Sequence, residues 1–220
     1  MQTKLASSIL LTLAAALAGC AATAGSSGEA PPPRVIADSP EQVEPVTVGH
    51  RAPAAAVRNP DGQPVDLGQA YAQAPTVLLF YRGGWCPYCS THLSEIGQAE
   101  ERLVEMGFQI LAVSPDRPAK LRETLSDEPL GYQLLSDSDM ELAQAYGLAF
   151  RVDEDTRERY RAFEIDLEDA AGRSHHLLPV PAIYLIDRQG VIRFAYWNPD
   201  HRERIEMEAL LEAAEAMAQE

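Results

Sequence analysis

The sequence predicts an α/β sandwich: a central mixed sheet with helices on both faces and a β-hairpin extension at the N-terminal side. Three observations carry this. Thr76 to Tyr81 is a continuous apolar run of the kind that a strand buried on both faces requires. Similar runs then alternate with stretches of helical periodicity, which is the pattern of parallel strands joined by crossover helices. Finally, Ile183–Ile186 and Val191–Tyr196 flank Asp187-Arg188-Gln189-Gly190 and read as an antiparallel hairpin at the sheet edge.

The chain opens with a single positive charge, Lys4, ahead of the apolar run Leu5 to Leu17. That run is too short to cross a bilayer and ends in small residues, as a secretory signal does. Leu17-Ala18-Gly19-Cys20 resembles the bacterial lipobox, which implies that Cys20 becomes the acylated first residue of an exported protein tied to the bacterial envelope, facing the periplasm. Residues 1–19 are thus expected to be a lipoprotein signal and 20–48 a Pro/Ser/Gly-rich flexible tether, with 49–220 forming the folded domain.

Within the domain, Val57 and Val65-Asp66-Leu67 around the turn Asn59-Pro60-Asp61-Gly62 predict a hairpin. Pro87 to Met106 is expected to be helical: Cys89, Leu93, Ile96, Leu103 and Met106 share one stripe, Pro87 suits the first helical position and Gly107 can end it. The remaining elements are a strand at 108–113, a short helix at 118–125, a strand at 132–135 and a helix at 140–146. A last helix is placed from about Arg202 to Met217. The segment 147–179 shows no clear period, and the charge run Arg151 to Arg161 within it reads as a solvated helix face.

Of the 220 residues, 46% are hydrophobic, enough to fill one core. Lys and Arg number 18 against 33 Asp and Glu, a net charge of −15 that excludes nucleic acid as a partner, since phosphate neutralisation needs surplus cations. Three cysteines are too few for a disulfide scaffold, so the chemistry of each depends on its neighbours.

Cys86 and Cys89 carry the most information, in Phe80-Tyr81-Arg82-Gly83-Gly84-Trp85-Cys86-Pro87-Tyr88-Cys89. A strand ends, a glycine turn follows, and Cys86 falls at the N-cap of a helix whose first turn holds Cys89. Unpaired N–H groups and the positive end of the helix dipole favour a thiolate there. The i, i+3 spacing puts both sulfurs on one face, so the pair can be oxidised to a disulfide and reopened by a reductant. A structural bridge is the bland alternative, but one that spans two residues constrains almost no loop. A metal reading uses Cys86, Cys89 and His92, with His175 and His176 further on; two thiolates and an imidazole suit Cu(I), whereas a lone CxxC lacks the second pair of a structural zinc site.

About 95 residues after Cys86, Val180-Pro181 precedes the apolar strand 182–186 and Asp187-x-x-Gly190. With the CxxC at a strand-to-helix turn, this resembles the thioredoxin fold, which implies a three-layer sandwich in which Pro181 is cis and the backbone of Val180 lies against the cysteines to hold a substrate. Together with Ser114-Pro115-Asp116 and the stretch from Pro181 to Arg193, residues 50 to 215 resemble the peroxiredoxin-like branch of the alkyl hydroperoxide reductase and thiol-specific antioxidant family. The resemblance implies peroxide reduction with an external, thioredoxin-like thiol reductant and no cofactor. It places Cys89 on the peroxidatic cysteine and Cys86 where that family usually has threonine, while the family's strand-start arginine falls on Pro181. Arg82 is the candidate for the missing positive charge and Trp85 for a hydrophobic cap over the sulfurs. Three functions stay open: a thiol peroxidase, a disulfide reductase of exported proteins with Cys86 attacking and Cys89 resolving, and a Cu(I) carrier.

Overall fold

A computed structural model describes residues 36–127 and 129–219. The signal, Cys20 and the first part of the tether lie outside the described residues.

Seven strands form one sheet in the order β2-β1-β5-β4-β3-β8-β9. The centre is parallel: β3 (Thr76–Phe80) lies beside β4 (Gln109–Ser114), which lies beside β5 (Gln133–Ser136). On the other side of β3, β8 (Ala182–Ile186) runs antiparallel and pairs in turn with β9 (Ile192–Trp197). The expected N-terminal hairpin, β1 (Val57–Arg58) with β2 (Pro64–Val65), closes the far edge against β5. Leu67 leaves that hairpin and begins α1 (Leu67–Gln73), a helix not anticipated, whose N-cap Asp66 accepts a hydrogen bond from the Gln69 N–H.

Successive side chains of a strand point to opposite faces, and β3 divides its residues accordingly. Leu78 and Phe80 enter one core with Leu67 and Tyr71 of α1 and with Leu142, Ala143 and Tyr146 at α4 (Glu141–Ala145). Val77, Leu79 and Tyr81 enter the other, against α2 (Pro87–Glu105), α3 (Pro118–Asp127) and α7 (Met207–Ala218). The two faces are therefore both covered, in a thioredoxin-like three-layer arrangement. On α2 the buried stripe is Cys89, His92, Leu93, Ile96, Ala99 and Leu103, so both sulfurs belong to the second core. Burial of each such Leu or Ile side chain contributes about 2 kcal/mol, and that anchors the helix at a fixed height above β3.

The last helix begins at Met207 rather than Arg202. Asp200 takes the Arg202 N–H on its own carboxylate at 3.0 Å, and that local turn competes with helix over 200–206. The segment left unassigned from the sequence holds β6 (Ala149–Arg151) and β7 (Leu177–Pro179), paired antiparallel as a second small sheet. Between them run α5 (Glu154–Ala162) and α6 (Leu167–Ala171). None of the residues of α5 is buried, in keeping with the charged run that composes it.

Candidate active site

The turn that carries Cys86 is built by two glycines. Gly83 has φ +145, and a β-carbon there would lie 2.3 Å from Trp85 Nε1 and 2.9 Å from Asp116 Oδ1. One added at Gly84 would lie 2.1 Å from Thr124 Oγ1. The Gly84 N–H donates to Asp116 Oδ2 at 2.8 Å, and the Cys86 N–H closes the turn on the Gly83 carbonyl at 3.2 Å. Asp116 is buried, and burial raises its carboxyl to about 6. The Gly84 N–H, the Ser114 hydroxyl and the charge of Lys120 offset part of that desolvation.

Cys86 is the N-cap of α2, in extended conformation. Its sulfur is met by the Cys89 amide and, more strongly, by the Cys89 thiol one turn on. That hydrogen bond is the first cause of a Cys86 pKa lowered to about 6, with the charges of Arg82 and Arg204 adding to it against the cost of burial. The same bond and its own burial push the Cys89 thiol well above the ordinary range. The reduced pair thus holds one proton between two sulfurs, with the charge on Cys86. Cys86 is 2% exposed and Cys89 0%, so both sulfurs lie beneath the surface of the site.

Arg82 is 3% exposed and stands between two aromatic rings, its guanidinium carbon 5.3 Å from the centre of Trp85 and 5.5 Å from that of Tyr160. Its Nη2 donates to the Tyr160 hydroxyl. The Trp85 and Tyr160 rings themselves meet at 5.7 Å between centres, tilted by 51°. On the other side, Arg204 Nη2 lies 3.7 Å from Cys89 Sγ. Burial and the charge of Arg82 hold His201 down at about 4, so this neighbour of Tyr88 is neutral near pH 7.

The structure gathers Arg82, Trp85, Cys86 and Cys89 of the sequence reading in one place. One expectation for Pro181 is corrected. Among the described residues no peptide bond is cis, Pro181 included. Two residues, Val180 and Pro181, join β7 to β8, and each strand is held by its own partners. The Val180 N–H is taken by the Leu148 carbonyl at 2.9 Å, and its side chain packs in the core on the opposite face of the sheet from the sulfurs. It does not offer a substrate a free strand edge. The copper reading lacks a third ligand: among the described residues no three His, Cys, Asp or Glu side chains converge on a metal position. His175 bonds the Ser138 carbonyl and His176 the Glu168 carboxylate, while His92 is buried with Nε2 unpartnered.

Three contributors were missed. Arg204 fell inside the helix extended too far upstream, Asp116 was read only as part of Ser-Pro-Asp, and Tyr160 was hidden in the charge run. Tyr160 is the one aromatic ring in Glu154–Ala162 and was the available signal.

Residues 48–195 match the AhpC/TSA family. The chain belongs to the AhpC/TSA family. Among its relatives is peroxiredoxin Bcp of Escherichia coli, 27% identical over 106 residues that cover 48% of this chain and 67% of that protein. Solved structures share the fold: peroxidoxin BcpB of Mycobacterium tuberculosis has a TM-score of 0.61 at 16% identity, covering 78% of this chain and 98% of that one. Reduced Prx3 of Vibrio vulnificus, solved in complex with hydrogen peroxide, has a TM-score of 0.63 at 19% identity, covering 77% and 99%. As an AhpC/TSA member of peroxiredoxin type, the chain is a thiol-dependent oxidoreductase, and the disulfide-reductase and copper-carrier readings are not favoured.

Proposed function

We propose that this AhpC/TSA protein reduces hydroperoxides by a dithiol cycle in which Cys86 is oxidised first and Cys89 resolves it. The observation that carries this is the position of Cys86 at the α2 N-cap, with Cys89 in the first turn and Arg204 Nη2 3.7 Å from the Cys89 sulfur; the Cys89 hydrogen bond and the charges of Arg82 and Arg204 favour the thiolate of Cys86. The Cys86 sulfur attacks the terminal oxygen of a hydroperoxide; the O–O bond breaks, Cys86 becomes a sulfenic acid and the alkoxide leaves as an alcohol on taking a proton from water. Cys89 then gives up its proton as its sulfur attacks that of Cys86, and the sulfenic oxygen departs as water. Two equivalents of an external thiol reopen the disulfide and emerge as their own disulfide. Stopped-flow mixing with hydrogen peroxide tests the order. Cys89→Ser is expected to keep the fast first step and accumulate sulfenic acid, and Cys86→Ser to fall to the rate of an ordinary thiol. The reverse pattern assigns the first attack to Cys89, on which the Arg204 side chain and the Arg82 amide converge.

Location is a separate proposal, resting on Leu17-Ala18-Gly19-Cys20 and the composition of residues 20–48. It holds that Cys20 is acylated and tethers the enzyme to the envelope. Metabolic labelling with a fatty acid should mark the wild type and leave Cys20→Ala unlabelled; equal labelling of both would remove the anchor.

A further inference from the structure

A guanidinium buried to 3% exposure ordinarily meets a carboxylate, because an uncompensated buried charge is costly. Arg82 has no such partner among the described residues, and its Nε is without any hydrogen bond. What touches it is the Trp85 ring and the Tyr160 ring and hydroxyl, and its charge favours the thiolate of Cys86, the residue that follows Trp85. The only hydrogen bond made by its side chain among the described residues is the one to Tyr160. Tyr160 in turn sits on α5, a helix that buries none of its residues, within the excursion between β6 and β7. Besides the Arg157 hydrogen bond to the His176 ring, that helix is held over the redox turn by the contacts of Tyr160 with Trp85 and Arg82.

We propose that Tyr160 is a positioning residue of the redox pair: it holds the Arg82 guanidinium against Trp85, at the turn that carries Cys86, so that the α5 excursion tunes the reactivity of that cysteine. The inference rests on the peroxidase reading only for the use to which the thiolate is put.

The other charged or titratable groups around Cys86 are Cys89 and His92 on α2, His201 and Arg204 ahead of α7, and Asp116 beneath Gly84. Both histidines are held neutral down to about 4. Asp116 changes charge near 6, so the readout must report the sulfur itself, as ultraviolet absorbance of the thiolate does.

The test is a double-mutant cycle in the full protein with Tyr160→Phe and Arg82→Met, titrating the thiolate across pH. Tyr160→Phe is expected to lower the thiolate fraction on the acid side of the transition about threefold and Arg82→Met about tenfold, an opposite charge at close range being the cause. The double variant should match Arg82→Met alone. The proposal is overturned if Tyr160→Phe leaves the titration unmoved, or moves it as far without Arg82 as with it. Should Arg82→Met not fold, Arg82→Gln takes its place. Peroxide consumption by the same proteins separates the two readings: coupling without peroxidase activity ends the proposed function alone, and activity without coupling ends this inference alone.

Discussion

Arg204 Nη2 and Cys89 Sγ stand 3.7 Å apart although 115 positions separate them in the chain. The contact joins the loop ahead of α7 to the first turn of α2, and it brings a second positive charge to a pair already served by Arg82 from the end of β3. Two arginines from opposite ends of the domain thus meet over one pair of sulfurs.

Removing that second charge should be felt at low pH. Arg204→Met takes away an interaction that favours the thiolate, so the Cys86 pKa rises from about 6. The rate with hydrogen peroxide is expected to fall about fivefold at pH 6 and much less at pH 8, where the sulfur is ionised in both proteins. Rate measurements at the two pH values check this; an equal loss at both would assign Arg204 a role outside ionisation.

The wild-type profile follows from the same group. With Cys86 titrating near 6, reactivity should climb between pH 5 and 7 and then level off, instead of climbing through the ordinary thiol range. Alkylation of the reduced protein by iodoacetamide across that range gives the profile, and Cys86→Ser should abolish it.

Asp116 makes the opposite contribution to folding. Its folded pKa, about 6, lies above the ordinary 3.8, so the folded protein holds an extra proton between those values. Stability from this group is complete below about 4 and is lost as pH rises through 6. Asp116→Asn, neutral throughout, should therefore be about 2 kcal/mol more stable than wild type at pH 7 and little different at pH 4, as read from urea denaturation at both values.

The glycine turn offers a steric test. Gly84→Ala places a methyl group 2.1 Å from Thr124 Oγ1, where something must shift, and should cost about 1–3 kcal/mol. Thr124→Ala removes that oxygen, so the double variant is expected to recover most of the loss. The urea midpoints of the four proteins decide it.

The strands and helices were legible where periodicity was strong. Thr76–Phe80 is apolar throughout because both faces are covered, and the stripe from Cys89 to Leu103 is the buried side of α2. The cysteines were legible because a strand, two glycines and a Pro at the first helical position fix a helix tip by local chemistry alone. What was not legible depended on long-range placement. Leu67–Gln73 is short and capped by one Asp, a weak local signal. Arg204 and Tyr160 lie in polar stretches, where nothing nearby in the sequence says which charge or ring will be folded inward. That the bond before Pro181 is trans and that the Leu148 carbonyl takes the Val180 N–H depend on neighbours that a motif read along the chain does not show.

The hydrogen shared between the two sulfurs also sets the electron poise of the pair. A thiolate held by a helix tip, a neighbouring thiol and two guanidinium groups stabilises the dithiol, and closing the disulfide forfeits all of those interactions at once. The oxidised form is accordingly the strained partner of the couple, with a comparatively positive reduction potential and a good leaving group in Cys86. Its lifetime in each turnover should be governed by how often a reductant arrives and not by how hard the bond is to break.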